Sequence, residues 1–204
     1  MSTILLTSNG FFTDRIKQQF LQRIDGQIMN AKAVIITTGS QWKQYNKFAM
    51  KAKEDLVNMG INQVDFMDIE FDVPGRLKRY NVIYMNGGNP FHLLFHLKKS
   101  GADMILKKLA KQNRNIVFVG VSAGAIILGP NIEVVNHFTP QLNSVDMHNL
   151  TGLGLTDIAV FPHYDREDLF PNTAGKSIED RLKEFEYINE CSVVRLKDDE
   201  SILI

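Results

Sequence analysis

Apolar runs with no in-out alternation recur along this chain, separated by longer amphipathic stretches, and this pattern constrains the fold more than any other feature. Residues 4–7, 33–36, 64–67, 82–85 and 116–121 read as strands, and 158–161, 192–196 and 201–204 continue the series. A strand that is apolar on both faces is covered on both faces, as in a parallel sheet. The amphipathic stretches between them read as helices. Residues 14–24 place Ile16, Phe20 and Ile24 on one face, and 42–59 carry a mixed-charge face. Asn89 followed by Pro90 is an N-cap and first-turn signal for a helix over 90–97. Ser177-Ile-Glu-Asp180 approximates a capping box before Leu182 and Phe185. Strands alternating with helices imply βαβ crossovers, so the expected fold is α/β, a three-layer sandwich around a mainly parallel sheet. No repeat or composition shift divides the chain, and residues 1–204 read as a single domain. The least regular stretch is 129–156, a length that in a compact domain usually carries function.

Composition narrows the function classes. Lys plus Arg and Asp plus Glu number 23 each over 204 residues, for a formal net charge of zero. Nucleic acid and anionic membranes therefore gain no global electrostatic attraction. The single cysteine, Cys191, excludes an internal disulfide framework and suits a reducing compartment. The first residues lack the basic region and apolar stretch of a secretion signal. The longest apolar run, 116–128, is interrupted by Gly120, Ser122 and Gly124 and is too short to span a bilayer. The expectation is a cytoplasmic protein with a small-molecule partner and no cofactor; nothing in the sequence opposes a homodimer.

The sharpest chemical signal is Gly120-Val-Ser-Ala-Gly124, directly after a strand and before the apolar Ala125-Ile-Ile-Leu128. This is the context a nucleophile elbow requires. A serine on a tight strand-to-helix turn projects its hydroxyl from the sheet, and the next amide, that of Ala123, faces the position where an oxyanion forms. A second glycine turn, Asn86-Gly-Gly-Asn89, follows the strand over 82–85, and Gly87 or Gly88 can supply a second oxyanion donor if the two strands are neighbours. The turn has neither dinucleotide spacing nor a phosphate-loop ending.

A nucleophilic serine needs a base. His92 and His96 are four apart on one helix, but no glutamate follows His92 and no third ligand is evident, so the pair reads as a solvated helix face rather than a metal site. His137 and His148 fall in the irregular stretch. His163, in Phe161-Pro-His-Tyr-Asp165, follows a strand directly and stands at a carboxyl edge, which makes it the base candidate. The acid that orients it is not chosen by spacing: Asp146, Asp157, Asp165, Asp168, Asp198, Asp199 and Glu200 are all candidates.

Together, Asn86-Gly-Gly-Asn-Pro-Phe-His-Leu-Leu94, Gly120-Val-Ser-Ala-Gly-Ala125 and Pro162-His163 resemble, in order and spacing, the motifs of the S51 peptidases, the family of dipeptidase E and cyanophycinase. The resemblance implies a flavodoxin-like fold of the class I glutamine amidotransferase type. It implies Ser122 as nucleophile, His163 as base, and Gly88 and Ala123 as oxyanion donors, with Asn89 and Arg181 facing substrate. It points to Asp198 as the acid, with Glu200 second. Three departures stand out. A family aspartate falls on His137; the arginine with which aspartyl dipeptidases grip an N-terminal Asp falls on Ile178; and the sequence stops at Ile204, where relatives often add a hairpin. Lys176 and Arg181 are the nearest cations to Ile178, and either reaches the site only if the loop 172–176 folds inward. The expected activity is hydrolysis of short peptides without strong Asp specificity. The rivals are an esterase or amidase with the same elbow and a silent peptide-binding homologue.

Overall fold

The computed structural model describes residues 2–24, 26, 28–112, 115–171 and 175–204. Six strands form one sheet in the order β3-β2-β4-β5-β1-β8: β3 (Gln63–Met67), β2 (Lys32–Ile36), β4 (Val82–Met85), β5 (Val117–Val121), β1 (Thr3–Thr7) and β8 (Ser201–Leu203). Every pairing among the first five is parallel, and β8 closes the β1 edge antiparallel. β6 (Val160–Pro162) and β7 (Val194–Leu196) pair in parallel as a separate two-stranded ribbon.

The apolar strand runs resolve into two cores. Successive side chains of β4 point to opposite faces, so Val82 and Tyr84 join one cluster while Ile83 and Met85 join the other. The first face is covered by α1 (Asp14–Ile24) and α2 (Lys47–Asn58) through Ile16, Phe20, Ala49 and Leu56. The second is covered by α3 (Pro90–Ser100), α4 (Ala102–Gln112) and α5 (Ala123–Leu128) through Phe91, Leu94, Leu106 and Ile127. Each fully buried Leu, Ile or Phe among these contributes about 1.5–3 kcal/mol. The three-layer α/β sandwich with a mainly parallel sheet is the architecture the strand pattern implies.

Several local expectations change. The stretch 42–59 is not one helix: a 3-10 turn over Lys43–Tyr45 stops at Asn46, whose Oδ1 accepts the Phe48 and Ala49 amides and caps α2. Helix α4 is absent from the sequence reading and starts just after Gly101, the left-handed C-cap of α3. The stretch 129–156 contains α6 (Glu133–Phe138) and the 3-10 turn Pro140–Leu142. At Ser177 the hydroxyl oxygen accepts the Asp180 amide, and its proton goes to the Asp180 carboxylate rather than completing a reciprocal capping box. β6 and β7, read as members of the series, stand outside the main sheet. β8 already occupies the edge beside β1, and the excursion through α6 brings β6 against α5 instead. The last helix is α7 (Ile178–Asn189). Among the described residues, no helix is long and apolar enough to cross a membrane.

Candidate active site

Strand order determines which loops meet. β5 lies between β4 and β1, so Ser122 at its carboxyl end is flanked by the Asn86–Asn89 turn on one side and by Ser8 to Gly10 on the other. Ser122 sits at φ 51°, a strained backbone conformation for a residue with a side chain, directly between β5 and α5. Two contacts hold it there: its amide donates to the Thr7 carbonyl at 3.0 Å, and its carbonyl accepts the Ala125 amide at 2.9 Å. The second glycine of the elbow lets α5 approach the sheet, because a Cβ on Gly124 would lie 2.0 Å from the Met85 carbonyl oxygen.

His163 and Asp198 arrive from the ribbon. Pro162 pairs with Leu196 in the parallel β6–β7 register, so the residues just beyond leave neighbouring carboxyl ends together. His163 Nε2 lies 3.0 Å from Ser122 Oγ, and His163 Nδ1 lies 2.6 Å from Asp198 Oδ1. An ionised carboxylate only accepts, which assigns the proton to Nδ1 and leaves Nε2 free to accept from the serine hydroxyl. His163 has φ 58°, a second non-glycine residue in the left-handed region. The side chains of His163 and Asp198 are 21% and 13% exposed, so the contact is shielded from water without being sealed. Two of the other acids weighed against Asp198 are engaged with backbone. Asp165 Oδ1 accepts the Asp198 amide at 3.0 Å, and Glu200 Oε2 accepts the Lys197 amide at 2.9 Å.

Sequence reasoning passed over Ser8. This buried residue at the end of β1 accepts the His163 amide at 2.7 Å and donates to Asp198 Oδ1 at 2.9 Å. The oxygen that contacts the imidazole is therefore itself held by a hydroxyl. Arg166 Nη1 stands 3.4 Å from the other carboxylate oxygen, Asp198 Oδ2. No one-dimensional signal marks Ser8, because its partners are 155 and 190 residues away.

The glycine turn lines the same cavity as Ser122. Gly87 packs on Ser122, with an added Cβ 3.2 Å from the serine Cβ. Gly88 has φ 137° and lies so close to Gly39 that an added Cβ would sit 2.2 Å from its carbonyl oxygen. Among the described residues, the Gly87 and Gly88 amides donate to no protein acceptor. Ala123 opens α5, where helix geometry leaves the amide without an intrahelical partner.

A cavity of about 590 Å³ opens beside Ser122 and His163, within the range of small-ligand sites. Phe11, Phe12, Phe48 and Tyr84 give it an apolar wall, and burial pushes the Tyr84 hydroxyl well above the usual phenol range. Lys17 and Lys51 lie at 3.8 and 2.9 Å from the Asp55 carboxylate in the same wall.

Both substrate-binding expectations move. Asn89 Oδ1 accepts the His92 amide as the N-cap of α3, and its Nδ2 donates to the Leu142 carbonyl at 2.7 Å. Arg181 is only 9% exposed; it donates to the Phe170 and Phe138 carbonyls at 2.8 and 3.2 Å and stacks over the Phe138 ring. Neither side chain lines the cavity. Residues 172–174, on which the inward-folding loop depended, lie outside the described residues, and Lys176 pairs with Glu184 at 2.8 Å. Ile178 is buried in the core, and His137 packs on Phe138 and Phe185. The His92–His96 pair does have a third partner, Glu70, contributed by the turn after β3.

A flavodoxin-like sandwich with a serine elbow, a histidine on that serine and a carboxylate on the histidine is an arrangement suited to acyl transfer. The chain belongs to peptidase family S51, whose sequence model matches residues 4–204. An uncharacterized peptidase of Listeria monocytogenes is 28% identical over 209 residues, covering 100% of this chain and 95% of that protein. Peptidase E of Streptomyces coelicolor is 28% identical over 127 residues, covering 62% of this chain and 50% of that one. The fold superposes on the crystal structure of a peptidase E-like protein from Listeria monocytogenes with a TM-score of 0.76, at 27% identity, covering 100% of this chain and 94% of the other. It also matches a peptidase from an acI-B1 Actinobacterium at a TM-score of 0.70 and 15% identity, a likeness of fold.

Proposed function

We propose that this chain hydrolyses short peptides through a Ser122–His163–Asp198 triad, without strong preference for an N-terminal aspartate. The observation that carries the reading is the unbroken contact line from Ser122 Oγ to His163 Nε2 at 3.0 Å and from His163 Nδ1 to Asp198 Oδ1 at 2.6 Å. In the reaction, Ser122 Oγ attacks the scissile carbonyl as His163 Nε2 takes its proton. The Gly88 and Ala123 amides receive the developing oxyanion. Asp198 keeps the imidazole in the tautomer that accepts at Nε2 and stabilises the imidazolium. His163 then returns the proton to the leaving amine, and the acyl-serine is cleaved by a water that His163 deprotonates. Ser8 positions the pair by holding the His163 backbone and the Asp198 carboxylate at once.

The cavity supports the substrate class. About 590 Å³ suits a peptide of a few residues rather than a folded protein. An aspartate side chain entering a pocket exchanges its hydration best for a bidentate guanidinium. No arginine is among the described residues that line the cavity, and its lysines are shared with Asp55. The aromatic wall favours apolar side chains.

The test is digestion of a short-peptide library by the purified protein and by Ser122→Ala, followed by fluorophosphonate labelling of both. Cleavage and labelling by the wild type that disappear in the variant are expected. Labelling that persists in Ser122→Ala places the nucleophile elsewhere, and binding without cleavage identifies a silent homologue.

A further inference from the structure

Away from the cleft, three side chains of metal-ligating type converge. His92 and His96 lie one turn apart on the same face of α3. Glu70, in the turn after β3, faces both. His92 Nε2 is 3.4 Å from Glu70 Oε2, and His96 Nε2 is 3.8 Å from Glu70 Oε1. The two imidazole centroids are 4.4 Å apart, and one ligand atom from each of the three residues falls within 4.8 Å of the others. A tetrahedral ion with bonds of about 2.0–2.1 Å sets its ligand atoms roughly 3.4 Å apart. The two histidine contacts with Glu70, 3.4 and 3.8 Å, are close to that spacing, and the full set, within 4.8 Å, closes on an ion by small side-chain rotations.

We propose that Glu70, His92 and His96 bind one divalent ion of the zinc class. The Nε2 atoms of both imidazoles and one Glu70 oxygen serve as ligands, and water completes the coordination. Two imidazoles with one carboxylate suit zinc and its borderline neighbours, whereas calcium and magnesium favour all-oxygen shells. The side chains of Glu70, His92 and His96 are 26%, 29% and 12% exposed, which leaves an approach for the ion and its water. Lys43 is the competitor. Its ammonium lies 2.8 Å from Glu70 Oε2 and 3.0 Å from Asp68 Oδ2, so it holds the carboxylate aimed at the histidines and opposes an incoming cation. With Asp68 beside it, the cluster retains one net negative charge when both imidazoles are neutral. The bound ion clips the start of α3, which follows the Gly87–Gly88 turn beside Ser122, to the segment leaving β3.

The test uses the full chain without a histidine tag, stripped with chelator, then titrated with Zn²⁺ in a calorimeter and with Co²⁺ by visible absorption. Binding of one ion per chain is expected, with Co²⁺ bands of tetrahedral strength. Glu70→Gln, His92→Ala and His96→Ala should each weaken Zn²⁺ binding by at least about tenfold. Lys43→Met should tighten it by removing the opposing charge, and His163→Ala should leave it unchanged. Folding of each variant is checked by circular dichroism, and Zn²⁺ should raise the Tm of the wild type but not that of the His92→Ala/His96→Ala double variant. No binding below about 100 µM overturns the proposal. So does binding that survives the double variant, binding that is lost in His163→Ala, or an affinity unchanged in Lys43→Met.

Discussion

The Ser8 hydroxyl donates to Asp198 Oδ1 at 2.9 Å, and Ser8 Oγ in turn accepts the His163 backbone amide at 2.7 Å. One side chain from the end of β1 thus ties together two loops of the β6–β7 ribbon, and it does so where His163 holds a positive φ of 58°. A non-glycine residue in that region persists only when its surroundings over-determine it. Ser8→Ala removes the clamp without touching a reacting atom. We expect kcat to fall by about a hundredfold, the scale of a misplacement near 1 Å, with KM little changed. Ser8→Thr, which keeps a hydroxyl, should recover part of the loss. Steady-state kinetics on a cleaved peptide separates this from general destabilisation, which lowers the active fraction alike for every substrate and leaves the rate per labelled site intact.

Removing the acid should cost less than removing the nucleophile. Asp198→Asn should lower kcat by about 10⁴ through the wrong imidazole tautomer, while Ser122→Ala retains only what binding and the oxyanion amides supply. Asp165 and Glu200 accept backbone amides of the turn that carries Asp198, so alanine at either position should reduce kcat far less. A Glu200→Ala variant as slow as Asp198→Asn would reassign the acid.

The strand set and the elbow were legible because both are local. β-branched runs such as Ala33-Val-Ile-Ile36 need no partner to be recognised, and Gly120-Val-Ser-Ala-Gly124 carries its own strand and helix context. The same holds for the Asn89–Pro90 helix start, where Asn89 caps α3 as its type suggests. What escaped was decided across the chain. Whether 158–161 joins the main sheet depends on β8 filling the edge beside β1 and on α5 covering β6, neither of which is encoded in those four residues. Ser8 and Glu70 are ordinary in their own surroundings and acquire meaning only from residues that the fold brings to them. Arg181 shows the converse: a family-like position invited a substrate role, but the fold buries it over Phe138.

That burial yields a selectivity prediction. Arg181 satisfies the Phe138 and Phe170 carbonyls, and desolvation pulls its guanidinium below the usual arginine range. Arg181→Ala should therefore cost about 2–4 kcal/mol of stability, since it strands buried acceptors and removes packing. It should leave the ratio of kcat/KM for Asp-Leu over Ala-Leu unchanged. In the wild type, that ratio should stay below about a thousandfold, or roughly 4 kcal/mol at 1.4 kcal/mol per decade. A larger ratio that collapses in Arg181→Ala would show that the guanidinium leaves Phe138 to grip substrate.

A second arginine network yields a prediction for stability in acid. Arg195 on β7 binds Glu186 at 2.5 and 2.9 Å and Glu179 at 3.0 and 3.3 Å, tying the strand that leads to Asp198 onto α7. Hydrogen bonding to this guanidinium holds both carboxyls below the ordinary glutamate range, against a desolvation that acts the other way. A carboxyl with a depressed folded pKa binds fewer protons folded than unfolded, so stability rises with pH through that window. The contribution is complete above the unfolded value near 4.3 and is lost as pH falls through the lower folded values. Arg195→Met removes it and leaves two glutamates facing each other, which raises their proton affinity. Urea denaturation should therefore show the variant about 1–2 kcal/mol less stable at neutral pH, a figure reduced for partial solvent exposure. The gap should narrow between about pH 5 and pH 3 as the wild type protonates both carboxyls. A gap that stays constant over that range would mean that Arg195 acts through packing alone.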